Sequence, residues 1–462
     1  MSDATRRELF PSVTRTRTVW RRTARLAAPL VGGHLLITAM QTVDVFIAAT
    51  ISTAAITAIG LADLFVGLTV TVGVSTGKSV LAVTSQDTGA GSGTREEAIT
   101  LALVLGAVLG VPFVVFGRTV ATEAIRLVGA PSGVATLGGT YLGIVLLSAP
   151  AYHVGLIASG AIKGTGDTRT PMVVDAGVNF LNIVGSVALG LGVAGAPRLG
   201  VVGIAAATAV ANGCLAVVYL GLLVSDRVEA GVAVPSTPVV TLQLIRIGVP
   251  RLVESLVTSL ARFPLNAVFL QFGVAVTAGY HLARRVNRQV TSPLRRGLTS
   301  ANSIVTGQGI GEGDDVRPDA VAVTLFGVVV LAVVGAAVYV AAPVIAHYST
   351  EGETVVGPAV GFMRAYAVGG VLMIAYNLLA GSLLGGGETR ITLYARLIGT
   401  VVVTLGGTYV GGVLLGFGVG AAYAAILLSP LVMTLVVFAE FRSDGWLDRA
   451  DRMIASRTTS EE

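Results

Sequence analysis

Polar side chains isolated in long apolar runs are the first candidates for chemistry. Asp44 is the single charged residue between Leu26 and Thr50. In the run 171–195, four oxygen-bearing residues follow steps of four, three and four, which places them on one face of a helix: Asp175, Asn179, Asn182 and Ser186. Because a charge inside a bilayer normally faces a cavity or a partner, these residues predict either an ion-binding site or hydrogen bonds between helices.

The depths of these residues in the predicted membrane favour a shared site. At about 1.5 Å per residue, Asp44, Asn182 and Ser186 lie at middle to outer depth when each run is counted from its predicted cytoplasmic end. Thr208, counted inward from the outer end of the run 199–224, reaches a similar depth. These four residues could therefore surround one cavity.

A second candidate surface is a basic stripe in the run 275–308. Eight polar residues advance there in steps of three or four, with Arg285 and Arg296 at the edge: His281, Arg284, Arg288, Ser292, Arg295, Thr299, Asn302 and Thr306. Lipid cannot face such a stripe. It predicts either structural ion pairs with Asp63 and Glu254 or a substrate cavity with a cationic wall that favours anionic or zwitterionic substrates. The residues assigned to that cavity are Asp63, Glu254, Arg284, Arg285 and Arg288.

A third candidate is the sequence GTGDTR at residues 164–169. GxGD is the signature of intramembrane aspartyl proteases, in which the aspartate is catalytic, so Asp167 could be that acid. The context favours a structural turn, because GGGETR at residues 385–390 repeats the motif with Glu388 in place of Asp167. We expect tight turns in which charged residues pair or cap the next helix: Gly164, Gly166, Asp167, Arg169, Gly385, Gly387, Glu388 and Arg390.

The repeated motif is part of an internal duplication. RLAAP at residues 25–29 and RIGVP at residues 246–250 are separated by the same offset, so a unit of about half the chain occurs twice. The chain has 462 residues, of which 53% are hydrophobic and 12% charged, and this is more apolar surface than a soluble core could bury. The duplication and the composition together predict an integral membrane protein.

Apolar runs of membrane-spanning length predict an all-α fold of twelve transmembrane helices in two parallel six-helix repeats. The runs are 26–50, 54–85, 98–117, 133–162, 171–195, 199–224, 244–272, 275–308, 320–346, 356–383, 391–413 and 416–438. The predicted domains are an N-lobe at 1–224 with a basic tail at 1–24, a linker at 225–243, a C-lobe at 244–438 and a C-terminal tail at 439–462. The distribution of Lys and Arg places both termini in the cytoplasm of a multi-pass cell-membrane protein.

These features resemble the multidrug and toxic compound extrusion (MATE) family of secondary transporters. The resemblance covers nearly the whole chain and includes the turn GTGDTRTP, the pair TSQDTGAG from Thr84 and TGQGIGEG from Thr306, and FMRAY from Phe362. It implies two lobes around a central cavity. It also implies alternating-access antiport, in which small organic compounds leave the cell in exchange for Na⁺ or H⁺.

The resemblance implies an N-lobe site for the coupling ion. In archaeal-type members this site contains a helix-one Asp, a helix-five Asn and Asp, and a helix-six Thr, and here Asp44, Asn182 and Thr208 match. Ser186 departs from that pattern, so the site has one carboxylate instead of two and offers less charge to Na⁺. Both Na⁺ and H⁺ stay possible as the coupling ion, and H⁺ is favoured. Asp44 is the expected coupling residue, and Asp175 with Asn179 is the next candidate.

The remaining expectations concern partners. The repeat offset makes residues 283–285 the counterparts of Asp63, so we expect Asp63 to pair with Arg284 or Arg285. The four histidines lack metal-ligand spacing and no phosphate-binding loop is present, so we expect no metal, no cofactor, no nucleic acid and no enzymatic activity. The expected state is a monomer in lipid. A flippase for lipid-linked precursors, from the wider superfamily, is the alternative transporter.

Overall fold

The computed structural model describes residues 12–91, 95–234, 239–350 and 352–458, and every regular element in them is helical. Pro235 and Pro238 of the predicted linker lie outside the described residues, as do residues 1–11 and 459–462 of the predicted tails. The helices are α1 Val13–Ile51, α2 Thr53–Ala90, α3 Arg95–Thr119, α4 Ala121–Leu127, α5 Ser132–Leu147, α6 Ala149–Gly164, α7 Arg169–Leu191, α8 Val201–Leu223, α9 Val239–Leu260, α10 Arg262–Gln271, α11 Val274–Gly311, α12 Arg317–Ser349, α13 Glu353–Gly385, α14 Arg390–Leu397, α15 Val419–Arg442 and α16 Gly445–Thr458.

Each of the twelve predicted spans coincides with one helix or with consecutive helical segments. The run 391–413 corresponds to α14 continued by the π-helices Ile398–Gly406 and Thr408–Leu414, which count together as one span. Among the described residues, nine helices are long and apolar enough to cross a membrane, or ten when α5 and α6, bent by 49°, count as one span. The other two spans are α9 with α10 and α11, which are helical but more charged, since α11 alone carries five arginines. The all-helical membrane fold predicted from the sequence is confirmed.

The outer faces of several helices are apolar, as lipid requires. On α3 the side chains of Val104, Val108 and Val115 are 55–59% exposed, and on α12 those of Val333 and Val340 are 68% and 76% exposed. In water such stripes would be unfavourable by about 25 cal/mol per Å² of apolar surface. In a bilayer the same surface is matched by hydrocarbon.

The chain packs into two compact units. Of the described residues, those in 32–248 and 456–458 form the N unit, and those in 249–455 and up to Val31 form the C unit. The boundaries fall inside α1, α9 and α16, so the first turns of α1 belong to the unit formed mainly by the second half. The predicted lobes assigned those turns to the N-lobe tail.

Specific contacts fix the beginning of α1 in the C unit. The indole of Trp20 donates a hydrogen bond of 2.8 Å to the carbonyl oxygen of Ala322, and Arg22 donates one of 2.8 Å to the side-chain oxygen of Gln308. The indole ring also packs against Phe326, with 5.5 Å between the ring centroids. Residues 13–24, predicted as a tail, are therefore helical and packed.

Glycines let the central helices of each unit approach closely. In the N unit, α2 packs on α6, where a Cβ at Gly160 would overlap the carbonyl oxygen of Gly77. In the C unit, α11 packs on α13, where a Cβ at Gly381 would lie 3.0 Å from the carbonyl oxygen of Thr299. Gly160 and Gly381 are repeat counterparts, so the duplicated sequence produces a duplicated helix crossing.

We expect Gly160→Val to destabilise the protein. Its side chain must displace α2, and overpacking of this kind costs about 1–3 kcal/mol. The measurement is the temperature at which the detergent-solubilised protein loses its monodisperse chromatographic peak. Gly177→Val is the matched control, because a Cβ at Gly177 meets nothing within 4 Å. Equal unfolding temperatures for Gly160→Val and the unmodified protein would show that the crossing does not depend on glycine.

Candidate functional site

Four predicted residues meet in the N unit around Asp44. The Ser186 hydroxyl donates a 3.0 Å hydrogen bond to the amide oxygen of Asn182 and lies within hydrogen-bonding reach of the Asp44 carboxylate. The Asn182 amide nitrogen lies 3.5 Å from the hydroxyl oxygen of Thr208. Asn182 and Ser186 are buried, and one carboxyl oxygen of Asp44 is buried without a hydrogen-bond partner among the described residues. We call Asp44, Asn182, Ser186 and Thr208 the oxygen cluster.

A second carboxylate and a tyrosine lie near the oxygen cluster. Asp63 on α2 is close enough to Asp44 for the two carboxylates to repel each other. The buried phenol of Tyr141 on α5 interacts electrostatically with both. Sequence reasoning missed Tyr141, because a single tyrosine in an apolar run has no pattern that distinguishes it from a core residue.

Asp175 lies in a different setting from Asp44. The Tyr219 hydroxyl donates a 2.8 Å hydrogen bond to its carboxylate, and the Lys163 ammonium nitrogen lies 4.0 Å from it. Asn179, between Asp175 and Asn182 on α7, is half-buried. A shared helix face therefore does not give a shared site, since α6 and α8 supply Asp175 with its own partners.

The duplicated glycine turns cap helices. The Asp167 carboxylate accepts hydrogen bonds of 3.0 Å from the backbone N–H groups of Arg169 and Thr170, at the first turn of α7. Glu388 accepts one of 2.8 Å from the N–H of Arg390, at the first turn of α14. Both turns use a left-handed glycine, Gly166 with φ 96° and Gly387 with φ 78°. Of the predicted alternatives, helix capping is the arrangement observed.

The other turn glycines serve packing. A Cβ at Gly164 would lie 2.7 Å from the side chain of Thr84, and one at Gly385 would lie 2.7 Å from the carbonyl oxygen of Ser303. Glu388 also forms an ion pair of 2.9 Å with Arg449 on α16. These residues hold helices together.

The C unit contains the predicted basic surface. Glu254 on α9 forms ion pairs with Arg251 at 3.0 Å and with Arg396 at 3.2 Å, and the Arg396 guanidinium stacks over the Tyr376 ring. Four arginines line a cavity of about 220 Å³ inside this unit: Arg262, Arg284, Arg295 and Arg396. Arg285 and Arg288 are exposed on the same helix as Arg284. Asp63 belongs to the N unit, so its pairing with Arg284 or Arg285 stays a prediction.

One buried ion pair was not expected from the sequence. Arg457, near the end of α16, is fully buried and lies 2.8 Å from the Asp87 carboxylate. Its guanidinium also donates hydrogen bonds of 2.6 Å to Gln243 and 2.9 Å to Gln86, all within the N unit. Gln86 and Asp87 are part of TSQDTGAG, so the buried arginine gives this motif a structural role.

Solved structures share this architecture. The chain superposes on a crystal structure of MATE in the straight conformation with a TM-score of 0.84 and 20% identity, covering 95% of this chain and 97% of that one. A MOP superfamily transporter from Pyrococcus furiosus matches with a TM-score of 0.83 and 21% identity, covering 94% and 96%. At these identities the likeness shows the fold.

Sequence comparison defines the family. The MatE family model matches residues 29–188 and 250–410, one match in each half, and the chain belongs to this family. It is 28% identical over 258 residues to YoeA of Bacillus subtilis, a probable multidrug resistance protein, and 28% identical over 177 residues to NorM of Thermotoga maritima, another one. These matches cover 54% and 38% of this chain and span 55% and 38% of the relatives' own lengths. Family membership confirms the resemblance and the expectation that the chain is not an enzyme.

We expect Asp167→Ala to lower the free energy of unfolding by about 1 kcal/mol, because it removes the carboxylate that accepts two N–H groups of the first turn of α7. Asp167→Asn should retain most of the stability, since an amide oxygen can accept the same N–H groups. The measurement is thermal unfolding of the purified protein, with Asp226→Ala, an exposed loop aspartate, as the control. Equal destabilisation by alanine and asparagine would contradict capping as the role of Asp167.

Proposed function

We propose that the protein is a secondary active transporter that exports small organic compounds by alternating access, in exchange for H⁺ or Na⁺ bound at Asp44. The observation that carries the proposal is the buried carboxyl oxygen of Asp44, which has no hydrogen-bond partner in the described residues. The Asp44 carboxylate lies within reach of Ser186, which is linked through Asn182 to Thr208. A group left in this state is stabilised by a proton or by a cation.

The cluster has the donors that either ion needs. For Na⁺ it supplies carboxylate, amide and hydroxyl oxygens, the ligands that hard cations prefer. For H⁺ it supplies a carboxyl group shielded from water and close to a second carboxylate, Asp63, so binding a proton relieves repulsion. Ser186 contributes a neutral hydroxyl where archaeal-type relatives have an acid, which reduces the charge offered to Na⁺ and favours H⁺.

Neutralisation of Asp44 also provides the means of coupling. An ion can shift a conformational equilibrium only by as much as its binding free energy differs between the two states. A buried charged carboxylate and its neutralised form differ in solvation by several kcal/mol. Substrate export would follow if the conformation open to the exterior favours the neutral form of Asp44.

The substrate class is supported by the relatives. YoeA and NorM are described as probable multidrug resistance proteins, which fits export of small organic compounds. The segments matched span between about a third and about half of those proteins. The oxygen cluster, by contrast, is a feature of this chain, and it is the part of the proposal that can be tested directly.

Asp44→Asn should abolish gradient-driven export while the protein still folds. Asparagine keeps the shape but fixes the side chain in a neutral state, so the ion gradient no longer changes its charge. Efflux from proteoliposomes is measured with Na⁺ and pH gradients imposed separately, which also identifies the ion. Glu123→Gln is the matched control in the same unit, because Glu123 forms an exposed ion pair with Arg126. If the Asp44→Asn variant exports substrate as fast as the unmodified protein, Asp44 has a structural role and is not the coupling residue.

We also propose that both termini face the cytoplasm. Excess Lys and Arg in short loops sets the orientation of membrane proteins, and here it favours the side that carries the turns at Thr165 and Gly386. The number of spans is even in each half, so both duplicated turns lie on the same side.

A cysteine introduced at Thr165 should react with a membrane-impermeant maleimide only in inverted vesicles. The substitution is made in a Cys214→Ser background, because Cys214 is the single cysteine of the chain. Leu127→Cys is the matched control, since Leu127 is 88% exposed at the end of α4 on the predicted outer side. Labelling of the cysteine at position 165 in intact cells would show that this turn faces the exterior and would contradict the proposed orientation.

A further inference from the structure

The C unit contains a cavity whose charge is not balanced by its own residues. The cavity measures about 220 Å³ and is lined by Arg262, Arg284, Arg295 and Arg396. Glu254 is paired with Arg251 and Arg396, so it compensates only part of this charge. Among the described residues of the C unit, no other carboxylate has an ion pair with the arginines that line the cavity.

The arginines repel one another rather than form partners. Arg262 lies close enough to Arg284 and Arg288 for their charges to interact unfavourably, and Arg295 has the same relation to Arg396. The Nε group of Arg295 is buried and has no hydrogen-bond partner in the part of the chain that the structure describes. A buried guanidinium nitrogen in this state is stabilised by a ligand that supplies a hydrogen-bond acceptor and a negative charge.

Apolar, aromatic and uncharged polar side chains complete the lining. The lining includes Tyr280 and Tyr366, whose tilted rings lie 6.5 Å apart between centroids, and the methionines Met373 and Met433. Cavities of about 150 Å³ admit benzene, so this one has room for an aromatic ring system as well as an acidic group. Flexible methionines tolerate rings of different shape.

The backbone widens at the same place. The segment Ile398–Gly406 is a π-helix, and its residues Thr400 and Thr404 line the cavity. π-Helical turns are rare and are frequently found at functional sites. The Thr404 and Ser429 hydroxyls donate hydrogen bonds of 2.8 Å and 2.7 Å to the carbonyl oxygen of Gly399, which holds the wide turns in place.

We propose that this cavity binds the carboxylate or phosphate group of an aromatic or amphiphilic organic anion, so that the compounds the protein exports are anionic. An anion supplies the charge that the four arginines lack, and guanidinium groups bind carboxylates and phosphates through paired hydrogen bonds. The inference deepens the proposed export function. Binding itself needs no ion gradient, so it can fail or succeed independently of that function.

The test compares 2-naphthoate with its neutral amide, 2-naphthamide. Binding is measured by titration calorimetry on the full-length protein in phosphatidylcholine nanodiscs, with empty nanodiscs as the blank. We expect the acid to bind at least about tenfold more tightly than the amide, since a charge-assisted hydrogen bond contributes that much. Equal affinities would overturn the proposal, and this comparison requires no mutation.

Substitutions locate the site. Arg295→Gln and Arg284→Gln should each weaken 2-naphthoate binding by about tenfold, whereas Arg295→Lys should have an intermediate effect because it keeps the charge and loses the planar fork. Arg364→Gln is the matched control on α13, since Arg364 is exposed and stacks on Tyr339 at 4.9 Å, away from the cavity. Unchanged affinity in both glutamine variants would also overturn the proposal.

Two sources of such an anion can be distinguished in the same assay. If nanodiscs that contain phosphatidic acid abolish 2-naphthoate binding in proportion to their phosphatidic acid content, the natural anion is a lipid headgroup, as the flippase alternative requires. If binding persists, the natural anion is a soluble organic acid. If the unmodified protein binds 2-naphthoate but shows no gradient-driven export, the proposed coupling is contradicted and the proposed anion site is retained.

Discussion

An ionised side chain inside a bilayer must be neutralised or must face a cavity, because the hydrocarbon core offers no water to solvate it. This constraint explains the observed placement of the charges in this protein. Lys163 with Asp175, and Glu254 with Arg251 and Arg396, satisfy it by pairing within one unit. Asp44 and Arg295 have no ion pair within the described residues, and each has a buried polar atom without a hydrogen-bond partner; these two side chains mark the proposed sites.

The duplication has given the two units one scaffold and opposite electrostatics. Gly160 and Gly381 make equivalent crossings, and Asp167 and Glu388 cap equivalent helices. The interior charges have diverged, since the oxygen cluster of the N unit is acidic and the cavity of the C unit is basic. Packing constrains positions where backbones touch, whereas residues that line a cavity are free to change with the ligand. The two repeats are therefore most similar at packing positions and least similar at the positions that line the proposed binding sites.

The sequence predicted the parts of the structure that depend on local pattern. Helical spacing brought Asn182 and Ser186 together, and repetition predicted the turns at Gly166 and Gly387. It did not predict contacts between distant segments, such as the bond from Arg457 to Gln86 across 371 residues, because local spacing does not indicate which distant segments meet. The π-helix after α14 was also unpredictable, since its composition is that of any apolar span. The burial of Tyr141 beside two carboxylates belongs to the same class of missed features.

The two proposed sites together have an energetic consequence. If one cation enters for each organic anion that leaves, both movements carry positive charge inward, and two charges cross the membrane in each cycle. Each charge contributes about 2.3 kcal/mol per 100 mV of membrane potential, so the cycle gains roughly twice that from a potential that is negative inside. Export of an organic cation in exchange for one cation would gain nothing from the potential. A basic substrate cavity and an acidic ion site on separate units therefore allow the potential, and not only the ion gradient, to drive export.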